Sequence, residues 1–403
     1  MHEPVIVATA RSPIGRAFKG SLVDLRPDDF ATTIVKAVLD KVPALDRGEI
    51  DDLILGCGLP GGEQGFNMGR VVSVLAGLPD VPGTTITRYC SSSLQTIRMA
   101  AHAIKAGEGD AFIAAGVECV SRFGKGNSDS WPDTQNPKFQ DAGLRSMKRS
   151  EGGQGPWESP DGYPDVYIAM GQTAENVAEL EDVSREEMDE FAALSQSRAV
   201  RSQERGFFER EIIPVELPDG RMIAKDDGPR PDTTVEKLAQ LKPAFRPDGK
   251  VTAGNACPLN DGAAAVLVMS DTRARDLGIA PLARIVSSGV TALNPEIMGL
   301  GPIGASRQAL GRAGMTIDDI DLVEINEAFA AQVIPSYLDL GIDIDKLNVN
   351  GGAIAVGHPF GMSGARITST LVNSLQFHDK TFGLQTMCVG GGQGMAMILE
   401  RLS

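Results

Sequence analysis

Two halves of this chain repeat one order of elements, and that duplication narrows the possible folds more than any single motif. In the first half, Glu49-Ile50-Asp51-Asp52-Leu53-Ile54-Leu55-Gly56-Cys57 reads as an acidic turn leading into a buried strand with a polar tip. Asp319-Ile320-Asp321-Leu322-Val323-Glu324-Ile325-Asn326-Glu327 reads the same way in the second. Each half continues with a strand, a small-residue turn and a helix: Pro82 to Ile104 with Cys90 at the turn, and Leu347 to Leu375 with His358 at the turn. Each closes on another strand, Asp110 to Val117 before Glu118 and Cys119, and Phe382 to Met387 before Cys388. Strands alternating with helices predict an α/β fold of mostly parallel sheets covered on both faces. Two such βαβ-rich core domains, stacked in layers, would bring the Cys90 and His358 turns to a shared centre.

The segment from about Ser121 to Gly254 breaks the repeat. It is rich in glycine, proline and charge, holds both tryptophans, Trp131 and Trp157, and is too long for an ordinary connection. Its one strong helical stretch is expected from Thr173, as N-cap, to roughly Arg205. At Asn260 to Met269 a small-residue turn and a buried strand return to the first core. The expected organisation is an N-terminal core domain of residues 1–120 and 259–280, a loop or lid domain of residues 121–258, and a C-terminal core domain of residues 281–403. Aromatic residues make up only 5% of the chain, so alanine, valine, leucine and isoleucine must fill most of the interior.

A formal net charge of −15 argues against nucleic-acid binding, and no run approaches the roughly 20 apolar residues of a membrane span. Met1 to Arg11 reads as a first strand rather than a secretory signal, so a cytoplasmic protein is expected. The cysteines (Cys57, Cys90, Cys119, Cys257, Cys388) are scattered without Cys-x-x-Cys pairs. That pattern speaks against structural zinc or a disulfide framework and for reduced thiols. Neither a metal nor a permanently bound cofactor is expected.

Only four histidines occur: His2, His102, His358 and His378. His358 lies in Gly351-Gly352-Ala353-Ile354-Ala355-Val356-Gly357-His358-Pro359-Phe360-Gly361, where small residues let substrate and backbone approach closely. It reads as a base beside a narrow channel; the alternative is an imidazole that caps the first turn of the helix opened by Pro359. Cys90, in Arg88-Tyr89-Cys90-Ser91-Ser92-Ser93, ends a strand where a helix begins. Unpaired helix N–H groups beside the sulfur would favour thiolate, and the Cys90 N–H could stabilise an oxyanion. A buried, inert cysteine is the alternative, and this setting alone does not decide between them. Cys388 ends a strand and enters Val389-Gly390-Gly391-Gly392-Gln393-Gly394. A phosphate loop there would need a helix and an acidic residue downstream, and only Met395 to Ser403 follow. Nucleophile, base and second thiol make a coherent acyl-transfer set.

On these motifs the chain resembles the thiolase family, the acetyl-CoA acyltransferases. The likeness runs from the first strand to the last. It rests on Tyr89-Cys90-Ser91-Ser92, Met170-Gly171-Gln172-Thr173-Ala174-Glu175-Asn176, Gly254-Asn255-Ala256, Asn260-Asp261-Gly262-Ala263-Ala264-Ala265, Asn326-Glu327-Ala328-Phe329, Gly357-His358-Pro359 and Cys388-Val389-Gly390-Gly391-Gly392. The resemblance implies that Cys90 is acylated, that His358 activates it and then the incoming CoA thiol, and that Cys388 moves the proton of the acetyl-CoA enolate. It further implies that Asn326 holds a water which, with His358, forms one oxyanion hole. The N–H groups of Cys90 and Gly390 would form the other. Pantetheine would pass near Ala256, Cys257 and Phe329, with Phe245 on the CoA path and Met170 and Met298 flanking the acyl pocket. CoA and acyl-CoA enter as substrates, and a homodimer or homotetramer is implied. The chemistry agrees: cleaving a 3-ketoacyl thioester needs a nucleophile at the keto carbon and a proton source at the departing carbanion, and one histidine cannot serve both.

The chain departs from the family at Cys257 and Pro258, where many members have serine and glycine. It also differs at Thr87 or Arg88, where asparagine is frequent, and at Ser93, where glycine is common. Ala169 stands where acetoacetyl-specific biosynthetic members have histidine. With Phe360 and Met362, this leans toward a degradative 3-ketoacyl-CoA thiolase. A ketoacyl synthase of the same fold would need a second catalytic histidine, where this chain has Asn326. A non-catalytic CoA- or lipid-binding module would be expected to lack one of Cys90, His358 and Cys388.

Overall fold

Alternation along the strands decides where they sit. In Asn260–Ser270, Ala263, Ala265, Leu267 and Met269 join one apolar cluster, while Ala264, Val266 and Val268 join another. The strand is therefore buried on both faces. The computed structural model describes residues 2–403. The first half contains β1 (Pro4–Arg11), the short β2 (Gly15–Arg16), α1 (Pro27–Asp40), β3 (Asp52–Gly56), α2 (Met68–Leu75), β4 (Gly83–Ile86), α3 (Ser92–Ala106) and β5 (Ala111–Cys119). The intervening segment supplies α4 (Gln140–Ser150), α5 (Met170–Leu180), α6 (Arg185–Glu204), the paired β6 (Val215–Glu216) and β7 (Met222–Ile223), and α7 (Val235–Ala239). The chain then returns through β8 (Asn260–Ser270) and α8 (Asp271–Asp276). The second half contains β9 (Ala283–Ala292), α9 (Gly301–Ala313), β10 (Leu322–Ile325), α10 (Ala330–Asp339), α11 (Ala353–Val356), α12 (Ser363–Phe377), β11 (Phe382–Val389) and β12 (Gln393–Arg401).

The long strands run β10-β11-β12-β9-β1-β8-β5-β3-β4, and the strands of the two halves pair where Val5 and Ile6 of β1 meet Arg284 and Ala283 of β9. Three apolar clusters make the layering. α1 and α2 cover the outer face of the first half, α9 and α10 the outer face of the second, and α3 and α12 lie between the two. The central helices approach closely: a Cβ at Gly364 of α12 would lie 2.1 Å from the backbone nitrogen of Leu94 in α3. Leu94, Ile97, Ile367 and Leu371 are fully enclosed between them. The layered α/β architecture is as expected.

Several local expectations are corrected. Among the described residues only β3–β4, β3–β5 and β10–β11 pair in parallel; β1–β8, β5–β8, β9–β12 and β11–β12 are antiparallel, so the sheet is mixed rather than mostly parallel. β11 and β12 form a tight hairpin, which forces antiparallel pairing. The expected strand at Leu347 is a single bridge to Val323. The helical stretch Thr173 to Arg205 is two helices, not one. α5 starts after Ala169, and the Thr173 hydroxyl lies inside it, donating to the Met170 carbonyl at 2.7 Å. α6 begins with a full capping box, Ser184 with Glu187.

The segment between the halves is tied down by buried charge. Arg11 of β1 meets Glu211 at 2.6 Å and Asp226 at 2.8 Å, all three side chains withdrawn from solvent. Removing one partner from such a group typically costs about 3–5 kcal/mol, because a buried charge is left uncompensated.

Candidate active site

β4 points at Cys90, and the turn that delivers it is strained. Tyr89 adopts φ +41°, a left-handed conformation that costs a non-glycine residue about 1–3 kcal/mol. Cys90 follows in a short 3-10 turn, Tyr89–Ser91, which runs into α3. Local bonds hold this shape: the Arg88 N–H donates to the Ser92 hydroxyl at 2.9 Å, which donates to the Tyr89 carbonyl at 2.7 Å. The sulfur is buried, and burial pushes its thiol up to about 11; hydrogen bonds from the Gly390 and Cys90 N–H groups oppose the shift without cancelling it. The expectation that the helix start makes a thiolate is therefore corrected. Desolvation outweighs the local N–H groups, and the resting group is a thiol.

His358 sits in an irregular loop, not in the first turn of a helix; α12 starts only at Ser363. Its backbone N–H donates to Asn260 Oδ1 at 2.9 Å, and Gly361 N–H donates to Glu118 at 2.8 Å. Nδ1 lies 2.5 Å from the Ser363 hydroxyl, whose own proton goes to the Pro359 carbonyl at 2.9 Å. The hydroxyl oxygen thus accepts from Nδ1–H, which leaves Nε2 unprotonated and facing Asn326 Nδ2 at 3.3 Å. Burial, then the charge of Arg366, pushes the imidazole down to about 3, so it is neutral and able to accept a proton. Asn326 follows β10, donating its N–H to the Thr386 carbonyl of β11; its Oδ1 is buried and has no partner among the described residues.

Cys388 is fully buried on β11, and its thiol is pushed well up by burial first and then by Cys90 and Cys257. Burial and Cys90 raise Cys257 in the same way. The three sulfurs therefore sense one another. Gly390, on the loop after β11, faces Cys90; a Cβ there would meet the Tyr89 ring at 3.4 Å and Met170 Sδ at 3.7 Å, ordinary contacts. Its missing side chain leaves space between the Tyr89 ring and Met170. Protein neighbours do not demand it.

Met298, Phe329, Ala256 and Cys388 belong to one apolar cluster, against which Met170 packs. The turn bearing Met298 is anchored through Glu296, which accepts from Trp157 Nε1 at 2.8 Å and from the Asp165 N–H at 2.9 Å. Phe245 meets Phe329 edge to face with centroids 6.0 Å apart. A cavity of about 260 Å³ is lined by Phe245, Ala256 and Cys257 and extends to Arg16 and Arg230. Met170, Met298 and Phe329 do not line it.

Some contributors were missed by sequence reasoning. Buried Glu118 accepts from Gly58 N–H at 2.6 Å, Gln64 Nε2 at 2.8 Å, Leu59 N–H at 3.3 Å and Gly361 N–H, joining the first half to the His358 loop. A carboxylate closing the otherwise apolar β5 was its only signal. Ser363, Arg16 and Arg230 had none beyond residue type.

The strained Cys90 turn, the buried neutral imidazole of His358 and the buried Cys388 thiol are the kinds of group that acyl transfer uses. Residues 4–272 match the thiolase N-terminal domain and residues 279–401 the thiolase C-terminal domain. The chain is 43% identical to a 3-ketoacyl-CoA thiolase of Bacillus subtilis, covering 99% of this chain and all of that protein. It is 44% identical to the 3-oxoadipyl-CoA/3-oxo-5,6-dehydrosuberyl-CoA thiolase of Escherichia coli, with both chains fully covered. A crystal structure of a Bacillus anthracis acetyl-CoA acetyltransferase superposes with a TM-score of 0.86 at 39% identity, covering 100% of this chain and 99% of that one. The chain belongs to the thiolase family and is an acyltransferase. Among the described residues, no helix is long and apolar enough to cross a membrane.

Proposed function

We propose that this thiolase cleaves 3-ketoacyl-CoA through an acyl-Cys90 intermediate. Cys90 adds to the C3 carbonyl while His358 takes its proton. The C2–C3 bond breaks, the electron pair leaves on acetyl-CoA as its enolate, and Cys388 protonates that carbon. His358 returns its proton to the Cys388 thiolate, then takes the proton of the incoming CoA thiol as that sulfur attacks acyl-Cys90. Acyl-CoA departs, and Cys90 recovers the proton. The Cys90 and Gly390 N–H groups are suited to hold one oxyanion. A water donating one proton to the unpartnered Asn326 oxygen would keep its other proton for the second oxyanion, beside His358 once Nε2 has taken up the Cys90 proton. The cavity at Phe245, Ala256 and Cys257 suits pantetheine, with Arg16 and Arg230 toward the phosphates and Met170 and Met298 beside the acyl chain.

One observation carries this reading: β11, which bears Cys388 and leads into Gly390, packs against the Tyr89–Ser91 turn, which supports nucleophile and second thiol acting on one carbonyl. Intact-mass and peptide spectrometry after brief exposure to acetyl-CoA should find one acetyl group, on Cys90, and none in Cys90→Ala. An adduct elsewhere, or none on folded protein, would end the proposal.

Ala169, Phe360 and Met362 support the degradative direction, in a β-oxidation-type shortening. The likeness to the Bacillus anthracis acetyl-CoA acetyltransferase favours a second reading, acetoacetyl-CoA synthesis. Turnover across 3-ketoacyl-CoA lengths, with ring-bearing and carboxylate-ended chains included, separates the two. In this reading residues 121–258 form a lid over core domains 1–120 with 259–280 and 281–403. A homodimer or homotetramer is supported by the edge strand β4 and the exposed Phe66, Val74, Leu75 and Tyr89, and light scattering tests it. A cytoplasmic site suits thiols that must stay reduced.

A further inference from the structure

Helix α3 follows the Cys90 turn at one end and carries a cluster of cations toward the other. Arg98, His102 and Lys105 on its surface, with Arg312 from the last turn of α9, line an open cavity of about 410 Å³ floored by Ile285 to Ser288 of β9. No carboxylate lines this cavity. On the same strand Arg284 is paired with Glu400, whereas Arg98, His102, Lys105 and Arg312 have no carboxylate within ion-pair distance among the described residues. Ser288 orients two of them: its hydroxyl accepts from Arg98 Nε at 3.2 Å and its carbonyl from Arg312 Nη1 at 2.7 Å, leaving the remaining guanidinium N–H groups unspent.

Such an arrangement is unfavourable when empty. Residues 98, 102 and 105 share one helix face, where like charges repel. The strain registers on the groups themselves. Arg98 is pushed down by burial, then by Arg88 and Arg312, and His102 by burial, then by Arg98, Lys105 and Arg312. Favourable interaction with helix C-termini accounts for Lys105 and Arg312, each in a last turn. It does not account for Arg98 and His102, which lie further back on α3. A chain of net charge −15 that gathers unpaired cations around one hollow has built a place for an anion.

We infer that this cavity binds a diphosphate-bearing small molecule, at a site separate from the cavity that reaches Cys257. Two guanidinium forks, the Lys105 ammonium and the imidazole of His102 suit several oxyanion oxygens rather than one, and the hollow exceeds what a single phosphate fills. Calorimetric titration of the full chain with inorganic diphosphate at low salt tests this. The same titration on Arg230→Gln removes any contribution from the other cavity. One saturable site should survive R230Q and weaken by about tenfold or more in Lys105→Gln/Arg312→Gln. That double variant, altered only at exposed positions, should keep its melting temperature and thiolase turnover. Absence of saturable binding at millimolar diphosphate overturns the inference. So does binding that R230Q removes and the double variant leaves intact.

Discussion

The turn bearing Cys90 and the loop bearing His358 occupy matching places in the repeat, yet they are held in opposite ways. Cys90 is fixed mainly by its immediate neighbours, through Ser92 and the left-handed Tyr89, with one tie to the other half where Arg88 donates to Gln393 at 2.5 Å. The His358 loop is gripped by the other half of the molecule: Asn260 takes the His358 N–H, Glu118 the Gly361 N–H, and Ser93 the Ala365 N–H at 2.9 Å. The nucleophile is a local product of strand, turn and helix. The base exists only once both halves have docked. Duplication therefore did more than double the core, since the first half supplies what the turn of the second half lacks.

The largest effect should come from His358→Asn, which keeps a polar group but removes the base. Steady-state turnover is expected to fall roughly 10²–10⁴-fold, the usual worth of general acid–base catalysis. A tenfold loss or less would mean another group takes the proton. Glu118→Gln should come next and sharpens the contrast, because it acts across the halves. Losing a carboxylate acceptor for Gly58, Leu59 and Gly361 should cost about 1–3 kcal/mol of stability and lower kcat by roughly tenfold through the loosened loop. Yet the Glu118 charge also raises the Cys90 thiol. The pH midpoint for Cys90 alkylation should therefore move down from about 11 while turnover falls. A purely structural role would leave that midpoint unmoved.

The same contrast explains what could be read from the sequence. The Cys90 turn was legible because strand, turn and helix are contiguous there. Cys388 and Gly390 were legible for the same reason, in one strand and its following loop. Glu118 was not, because its donors come from Gly58, Gln64 and Gly361, whose convergence no local period encodes. The protonation of Cys90 failed likewise: helix N–H groups are visible in sequence, but the burial that outweighs them is tertiary. Antiparallel pairing of β8 with β1 and β5 depends on where the chain re-enters after residue 258, which the βαβ pattern alone does not specify.

Acid stability separates the two turns again. The unfolded imidazole titrates near 6.5, whereas burial holds His358 at about 3. Between those values the unfolded chain binds the extra proton, so this group's contribution is full above about 6.5 and is lost as pH falls toward 3. Cys90, raised rather than lowered, stays protonated in both states through that window. Denaturant melts of parent and His358→Asn should diverge in slope by up to about 1.4 kcal/mol per pH unit below pH 6 and run parallel above pH 7. Parallel curves throughout would show that solvent reaches the imidazole.

Ser184→Ala should have the smallest effect and makes the cleanest control. Ser184 donates to and is answered by Glu187 in a capping box at the start of α6, away from both turns. Losing it should cost about 0.5–2 kcal/mol, read as a lower denaturant midpoint at unchanged slope. But α6 also carries Ser195, whose hydroxyl donates to Glu327 at 2.6 Å and accepts the Gly352 N–H at 3.1 Å, six residues ahead of His358. If the inserted segment merely covers the site, kcat should stay at the parental value after this frayed start. If α6 helps hold the base, kcat should fall in step with stability while Cys90 alkylation stays constant. That outcome would extend the borrowed grip on His358 from the opposite half to the segment between the halves.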